Sequence, residues 1–157
     1  MSGFVVVGLD GSDSARNALR EAISQAKSRE ASVLAMHVVV IPAMSGYEYT
    51  PIDLDSMKAD AQKMIDQEVV DVVAGYETPP GVPIETKVVT GHIGIEMLRA
   101  AKANGGADLV VAGSRGLGGF RSLLLGSVTT YLAHHLACPL LIMPSADDGD
   151  EDEPVAG

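Results

Sequence analysis

The sequence has little cysteine, few aromatic residues and no tryptophan. Cys138 is the only cysteine among 157 residues, so no disulfide can form within the chain. Aromatic residues make up 4% of the sequence and hydrophobic residues 46%, so the core has to be built mainly from aliphatic side chains and methionine. Such a core is typical of a parallel β-sheet that is covered by helices on both faces.

Other features are missing as well. No apolar stretch is long enough to span a bilayer, and the first residues lack the basic segment of a secretion signal. We therefore expect a soluble, cytoplasmic protein that does not enter a membrane. No HxxxH or CxxC spacing occurs, so we do not expect a metal site made by the protein alone. The basic stripe that a nucleic-acid groove requires is also missing, so no nucleic-acid partner is expected.

The net charge of −10 comes largely from the C-terminus. Residues 147–153 contain six acidic side chains; without them 15 acidic residues face 11 basic ones, a net charge of −4. A run of like charges without apolar partners is typical of a disordered segment. We therefore predict one domain, residues 1–145, followed by an acidic and disordered tail, residues 146–157.

Short apolar stretches rich in β-branched residues alternate with stretches in which apolar residues recur at helical spacing. The predicted strands are Phe4–Leu9, Ser32–Ile41, Ile84–Val89, Leu109–Ala112 and Pro139–Met143. Four helices are predicted, and the first has an apolar stripe from Ala15 to Ala26. The other three run from about Leu54 to Tyr76, from Gly91 to Ala103 and from Ser127 onward. In the last helix we expect His135 on the inward face. This alternation predicts an α/β fold with a doubly wound, open parallel sheet.

The fourth predicted strand runs into a loop rich in glycine. The loop contains Gly113, Gly116, Gly118 and Gly119, and Gly126 precedes Ser127, which we expect to cap the following helix. Glycine lets the backbone approach a ligand closely, and the first turn of a helix offers unpaired N–H groups at the positive end of its dipole. The pattern therefore predicts a phosphate-binding site. It is neither a Walker A loop, which needs Gly-Lys-Ser/Thr, nor a dinucleotide G-x-G-x-x-G fingerprint.

The spacing Gly113-x2-Gly116-x9-Gly126-Ser127 resembles the signature of the universal stress protein family, in its ATP-binding branch. The resemblance covers nearly the whole chain, from Gly3 to Pro144. It implies five parallel strands in the order 3-2-1-4-5, with helices on both faces. Strands 1 and 4 are then neighbours from which the chain winds outward in opposite directions, and open α/β sheets bind their ligands at such a point.

The resemblance also implies roles for particular residues. It places adenine beside the backbone of Gly8, Leu9 and Val38, and ribose on Asp10, which directly follows the first strand. Next to Asp10, the side chains of Ser12, Asp13 and Ser14 are candidates for capping the first helix. The full set implied for the nucleotide is Gly8, Leu9, Asp10, Val38, Ala112, Gly113, Arg115, Gly116, Gly126, Ser127, Val128 and Thr129.

The glycine-rich loop contains two basic residues, Arg115 and Arg121. Each could pair with a terminal phosphate or lie on the surface. The implied ligand is ATP, with Mg²⁺ or Mn²⁺ bridging its phosphates.

These features favour a small ATP-binding stress-response regulator that acts through an unknown protein partner. A fast enzyme is not expected, because phosphoryl transfer needs charge neutralisation and a positioned base, and the loop offers two arginines and no lysine. The alternatives are a slow ATPase or autophosphorylating protein, a member that binds cyclic AMP, and a nucleotide-free interaction protein. The last strand would expose an apolar edge, and the family pairs this strand across a two-fold axis, so we expect a homodimer through Leu140, Leu141, Ile142 and Met143.

Overall fold

Strands and helices alternate along the chain in the computed structural model, which describes residues 3–41, 51–114 and 125–144. The strands are β1 (Phe4–Gly8), β2 (Ser32–Val39), β3 (Ile84–Thr90), β4 (Leu109–Gly113) and β5 (Leu140–Met143). The helices are α1 (Asp13–Arg29), α2 (Leu54–Ala74), α3 (Ile93–Lys102) and α4 (Ser127–His135), and a 3₁₀ turn, Ala103–Gly105, follows α3. The predicted elements are confirmed, and the ends that differ do so by one or two residues.

The five strands form one parallel sheet in the order β3-β2-β1-β4-β5, which confirms the predicted topology. β3 and β5 are therefore the edge strands. β1 and β4 lie side by side in the middle, with Val5 opposite Leu109 and Val7 opposite Val111. The chain leaves this pair in opposite directions, so their carboxyl ends form the switch point of the sheet.

Helices cover both faces of the sheet, and each face has its own aliphatic cluster. α1 and α2 pack on one face, where Val5 and Val7 meet Leu19 and Ile65. α3 and α4 pack on the other face, where Val6 belongs to the second cluster. Successive strand residues point to opposite faces, so a continuous run of valines serves both clusters. The largest fully buried side chains are leucine, isoleucine, methionine and valine, as the composition predicts.

His135 does not lie in the core, contrary to the prediction from its position on the apolar stripe of α4. The side chain is exposed, its ring stacks on Tyr131 with 4.1 Å between centroids, and its Nδ1 lies 2.8 Å from the Tyr131 carbonyl oxygen. His135 is the last residue of α4, and helical side chains lean back toward the preceding turn. The ring therefore covers Tyr131 instead of reaching the sheet. In the described parts of the chain, no helix is long and apolar enough to cross a membrane.

Candidate functional site

The switch point brings together two of the segments that the sequence singles out. Because Val7 pairs with Val111, β1 and β4 end at the same edge of the sheet. Gly8, Leu9 and Asp10 leave from one strand, and Ala112 and Gly113 from its neighbour. Arg115, Gly116 and Arg121, also predicted for this site, lie outside the described residues.

Asp10 organises the loop between β1 and α1. Its Oδ1 accepts hydrogen bonds from the backbone N–H of Ser12 at 3.0 Å and from the Ser12 hydroxyl at 2.5 Å. The Ser12 oxygen in turn accepts from the backbone N–H of Ala15 at 3.1 Å and so caps α1. Of the three capping candidates, Ser12 is the cap, while Asp13 opens the helix and pairs with Arg16 at 3.1 Å. Asp10 thus fixes the start of α1 at the mouth of the site.

Among the described residues, the N-terminus of α4 differs from those of the other three α-helices, because no side chain caps it. Side chains of Ser12, Asp53 and His92 cap α1, α2 and α3, whereas the residue at this position of α4 is Gly126. The first helical hydrogen bond runs from Thr130 N–H to the Gly126 carbonyl at 3.0 Å. The amides of Ser127, Val128 and Thr129 precede that bond, so they have no partner within the helix. The prediction that Ser127 caps α4 is therefore wrong: Ser127 is its first residue, and its side chain is exposed.

Two hydrogen bonds tie the start of α4 to the end of β4. The Thr129 hydroxyl donates to the Gly113 carbonyl at 2.9 Å, and the Gly126 N–H donates to the Ser114 carbonyl at 2.7 Å. Thr129 is buried, so its side chain serves this attachment. The open amides of α4 are consequently held at the carboxyl end of β4.

Gly113 has a packing role that its glycine spacing does not reveal. A Cβ built on Gly113 would lie 2.2 Å from the Ser14 hydroxyl oxygen and 3.1 Å from the Ser14 Cβ. Ser14 is buried near the start of α1, and its hydroxyl has no hydrogen-bond partner in the described structure. The absence of a side chain at Gly113 therefore allows α1 to approach β4 closely.

His37 connects β2 to the end of β1, and sequence analysis did not single it out. Its Nδ1 lies 2.6 Å from the carbonyl oxygen of Leu9. Val38, the next residue, has a buried side chain in the cluster under α3 and α4. The predicted role of Val38 beside adenine concerns its backbone, and it stays a prediction.

Glu68 of α2 is a buried carboxyl group directly behind the Asp10 loop. Its oxygen atoms have no hydrogen-bond partner in the described structure, and Arg16 Nε is 3.9 Å from Oε1. Burial raises the pKa of Glu68; the Arg16 charge opposes this effect, and the Asp10 charge adds to it. Glu68 could have been found in the sequence, because it interrupts the apolar stripe of Ala61, Ile65 and Val72 at helical spacing.

Replacing Glu68 with Gln is expected to stabilise the fold at neutral pH. Because the folded-state pKa is raised, ionisation of Glu68 costs folding free energy once the pH exceeds the ordinary glutamate value of 4.5. Stability thus falls as the pH rises toward the folded pKa and stays low above it. We expect a gain of about 1 kcal/mol at pH 7.5, roughly 2–4 °C in Tm, that vanishes below the ordinary pKa. Thermal unfolding of wild type and Glu68→Gln at pH 4 and pH 7.5 measures this difference in stability. Asp60→Asn, on the exposed face of α2, is the control, and a gain independent of pH contradicts the assignment.

The described residues contain no group of three histidine, cysteine, aspartate or glutamate side chains that could hold a metal ion. Cys138 is half-buried, and burial raises the pKa of its thiol. A raised pKa keeps the thiol protonated, which makes it a poor nucleophile.

A family model decides the classification, since the model of the universal stress protein family matches residues 1–144. The chain belongs to the universal stress protein family. This confirms the family that the glycine spacing indicates. In its sequence, this universal stress protein is similar to universal stress protein YxiE from Bacillus subtilis, with 30% identity over 149 residues that cover 91% of this chain and 99% of YxiE.

Solved structures of the family share the fold. Universal stress protein UspA from Lactobacillus plantarum superposes with a TM-score of 0.73 at 25% identity, covering 90% of this chain and 97% of UspA. A universal stress protein solved in complex with cAMP superposes with a TM-score of 0.66, also at 25% identity, covering 91% of this chain and 97% of the other. The second of these relatives is an adenine-nucleotide complex.

Proposed function

We propose that this universal stress protein binds ATP at the carboxyl ends of β1 and β4 and acts as a cytoplasmic stress-response regulator whose nucleotide occupancy controls a protein partner. The observation that carries the proposal is the N-terminus of α4, which has no side-chain cap among the described residues and is held at the carboxyl end of β4 by Thr129 and Gly126. Three amides without a helical partner, at the positive end of a helix dipole, form an anion site. The related structure with cAMP supports an adenine nucleotide as the anion.

The parts of the nucleotide correspond to separate features of the site. Phosphate oxygens accept hydrogen bonds from the amides of Ser127, Val128 and Thr129. The ribose hydroxyls donate to the carboxylate of Asp10, a group that accepts hydrogen bonds on both of its oxygen atoms. Adenine lies against the peptide of Val38. Mg²⁺ or Mn²⁺ would bridge the phosphates, keeping most of its ligands from water and nucleotide, as Mg²⁺ commonly does in proteins.

Cyclic AMP is the second candidate ligand, because the related structure contains it. It shares adenine and ribose with ATP but carries one phosphate and no free 3′-hydroxyl. No observation among the described residues favours turnover of ATP, since Oδ1 of Asp10 is engaged by Ser12 and no lysine lies at the switch point.

The test of the ribose contact is Asp10→Asn. Asparagine keeps an oxygen acceptor for Ser12, so the loop and the cap of α1 are retained, but its amide nitrogen cannot accept from a hydroxyl. We expect the affinity for ATP to fall roughly tenfold, as for the loss of a hydrogen bond to a charged group, and the affinity for 2′,3′-dideoxy-ATP to change little. Calorimetric titration of wild type and Asp10→Asn with ATP and with 2′,3′-dideoxy-ATP measures these affinities. Equal losses for the two nucleotides would contradict a contact between Asp10 and ribose.

We also propose that β5 pairs with its counterpart in a second copy. β5 is an edge strand of four half-buried apolar residues in the described sheet, and the unpaired backbone groups of an apolar edge strand favour pairing with another chain. Leu140, Leu141 and Met143 pack on the core clusters, whereas in the described structure Ile142 packs on neither. Ile142→Lys is therefore expected to give folded monomers in sedimentation velocity. Val70→Lys, on an exposed part of α2, is the matched control and leaves the dimer intact. A dimer that survives Ile142→Lys rules out this pairing.

A further inference from the structure

The hydrogen-bond ladder between β1 and β2 ends at the candidate adenine site. The paired register stops at Gly8 and Met36, and one more bond follows, from the Leu9 N–H to the Met36 carbonyl at 2.8 Å. The next acceptor along β1 is the Leu9 carbonyl, and His37 Nδ1 lies 2.6 Å from it. A carbonyl oxygen only accepts, so Nδ1 carries the proton and donates.

The imidazole takes the place of a backbone donor. In a strand, the N–H and C=O of one residue point to the same side, and successive residues alternate between the two sides. The backbone N–H and C=O of Met36 point toward β1, because the Met36 carbonyl accepts a hydrogen bond from the Leu9 N–H. Those of Val39 point toward β3, because the Val39 carbonyl accepts from the Gly91 N–H at 3.1 Å. The backbone N–H and C=O of Val38 therefore point toward β1. In a continuing parallel ladder the Val38 N–H would donate to the Leu9 carbonyl, which His37 occupies instead.

The consequence is a peptide edge at the switch point. The N–H and C=O of Val38 point to the side where the β1 ladder has ended, so one donor and one acceptor are adjacent there. Adenine presents a complementary pair, the N1 acceptor and the N6 amino donor. Hypoxanthine, the base of inosine triphosphate, presents the reverse pair, because its O6 accepts and its N1–H donates. With the ribose fixed at Asp10, the base cannot turn over to restore the match.

We propose that His37 is a positioning residue that makes this site specific for 6-aminopurines: by holding the Leu9 carbonyl, it leaves the Val38 peptide edge to the base. The inference rests on the proposed function, since it concerns the same site. His37 itself does not touch the nucleotide. Its effect is confined to the base and does not extend to the phosphates, which bind at α4.

The test compares ATP, inosine triphosphate and inorganic tripolyphosphate, each with Mg²⁺, by calorimetry on wild type and three variants, in which asparagine, leucine or glutamine replaces His37. Asparagine places an N–H donor on Cγ, as Nδ1 of histidine is placed; leucine places a methyl group there, and glutamine moves the donor one bond further. We expect wild type and His37→Asn to prefer ATP over inosine triphosphate by about tenfold. His37→Leu and His37→Gln are expected to lose this preference and to bind tripolyphosphate as wild type does.

The outcomes separate the two proposals. If wild type does not bind ATP, the proposed function fails, and the inference fails with it. If wild type prefers ATP and His37→Leu keeps the same preference, the function stands and the inference is overturned. A general structural defect would lower the affinity for all three ligands in parallel, which also overturns it. Should His37→Leu not fold, the comparison of His37→Asn with His37→Gln decides, because equal preferences in these two contradict a role for the Nδ1 donor.

Discussion

Replacing Gly126 with Asp is expected to weaken nucleotide binding strongly without harming the fold. Gly126 has φ −69° and ψ 164°, a conformation that any residue adopts, and it precedes the first residue of α4. An aspartate at this position would accept a hydrogen bond from an amide of the first turn and place its negative charge at the phosphate site. We expect the affinity for ATP to fall about 100-fold and the free energy of unfolding to rise by a few tenths of a kcal/mol, as measured by calorimetry and denaturant unfolding.

Gly126→Asn is the matched control, because its side chain caps the helix without a charge. It is expected to stabilise the fold similarly and to weaken ATP binding less than Gly126→Asp does. Unchanged affinity in Gly126→Asp would show that phosphates do not bind at α4, and the proposed arrangement would then be wrong.

The second large effect is expected for Gly113→Ala, and it concerns stability. The new methyl group would lie 2.2 Å from the Ser14 hydroxyl oxygen, so α1 and β4 have to move apart or Ser14 has to rotate in a packed site. Overpacking of this kind costs roughly 1–3 kcal/mol, or about 2–12 °C in Tm for a chain of this size. Differential scanning calorimetry measures the change.

The Ser14→Ala variant tests the cause. Alone it is expected to change stability by less than about 0.5 kcal/mol, because the hydroxyl is buried and makes no hydrogen bond in the described structure. Combined with Gly113→Ala it removes the closest contact, so the double variant should recover part of the loss. Additive effects of the two substitutions would show that Ser14 is not what Gly113 avoids.

The elements and their order could be predicted because local patterns determine them. The valine-rich stretches at β1 and β4 are too short and too branched for helices, and the spacing of Gly113 and Gly126 indicates the family. The capping of α4 could not be predicted, since in a Gly-Ser pair either residue can precede a helix. The carbonyl that accepts from Thr130 decides the choice, and it belongs to Gly126.

The residues that sequence analysis missed depend on contacts between distant parts of the chain. His37 looks like an ordinary strand residue until β1 ends beside it and exposes the Leu9 carbonyl. Glu68 stands in an apolar stripe, and only the packing of the folded chain shows that Arg16 of α1 lies 3.9 Å from its carboxyl group. His135 continues an apolar stripe, but the helix ends there, and the ring turns back onto Tyr131. Periodicity identifies a face of a helix without showing where that face stops being covered.

The measurement that tests the central claim most directly is calorimetric titration of nucleotide-free protein with ATP and Mg²⁺, with cyclic AMP and GTP in parallel. The site described above predicts saturable binding of ATP with one nucleotide per chain, and much weaker binding of GTP. Tighter binding of cyclic AMP than of ATP would make cyclic AMP the ligand of the same site. If no adenine nucleotide binds, or if GTP binds as well as ATP, the proposed adenine-nucleotide site is contradicted.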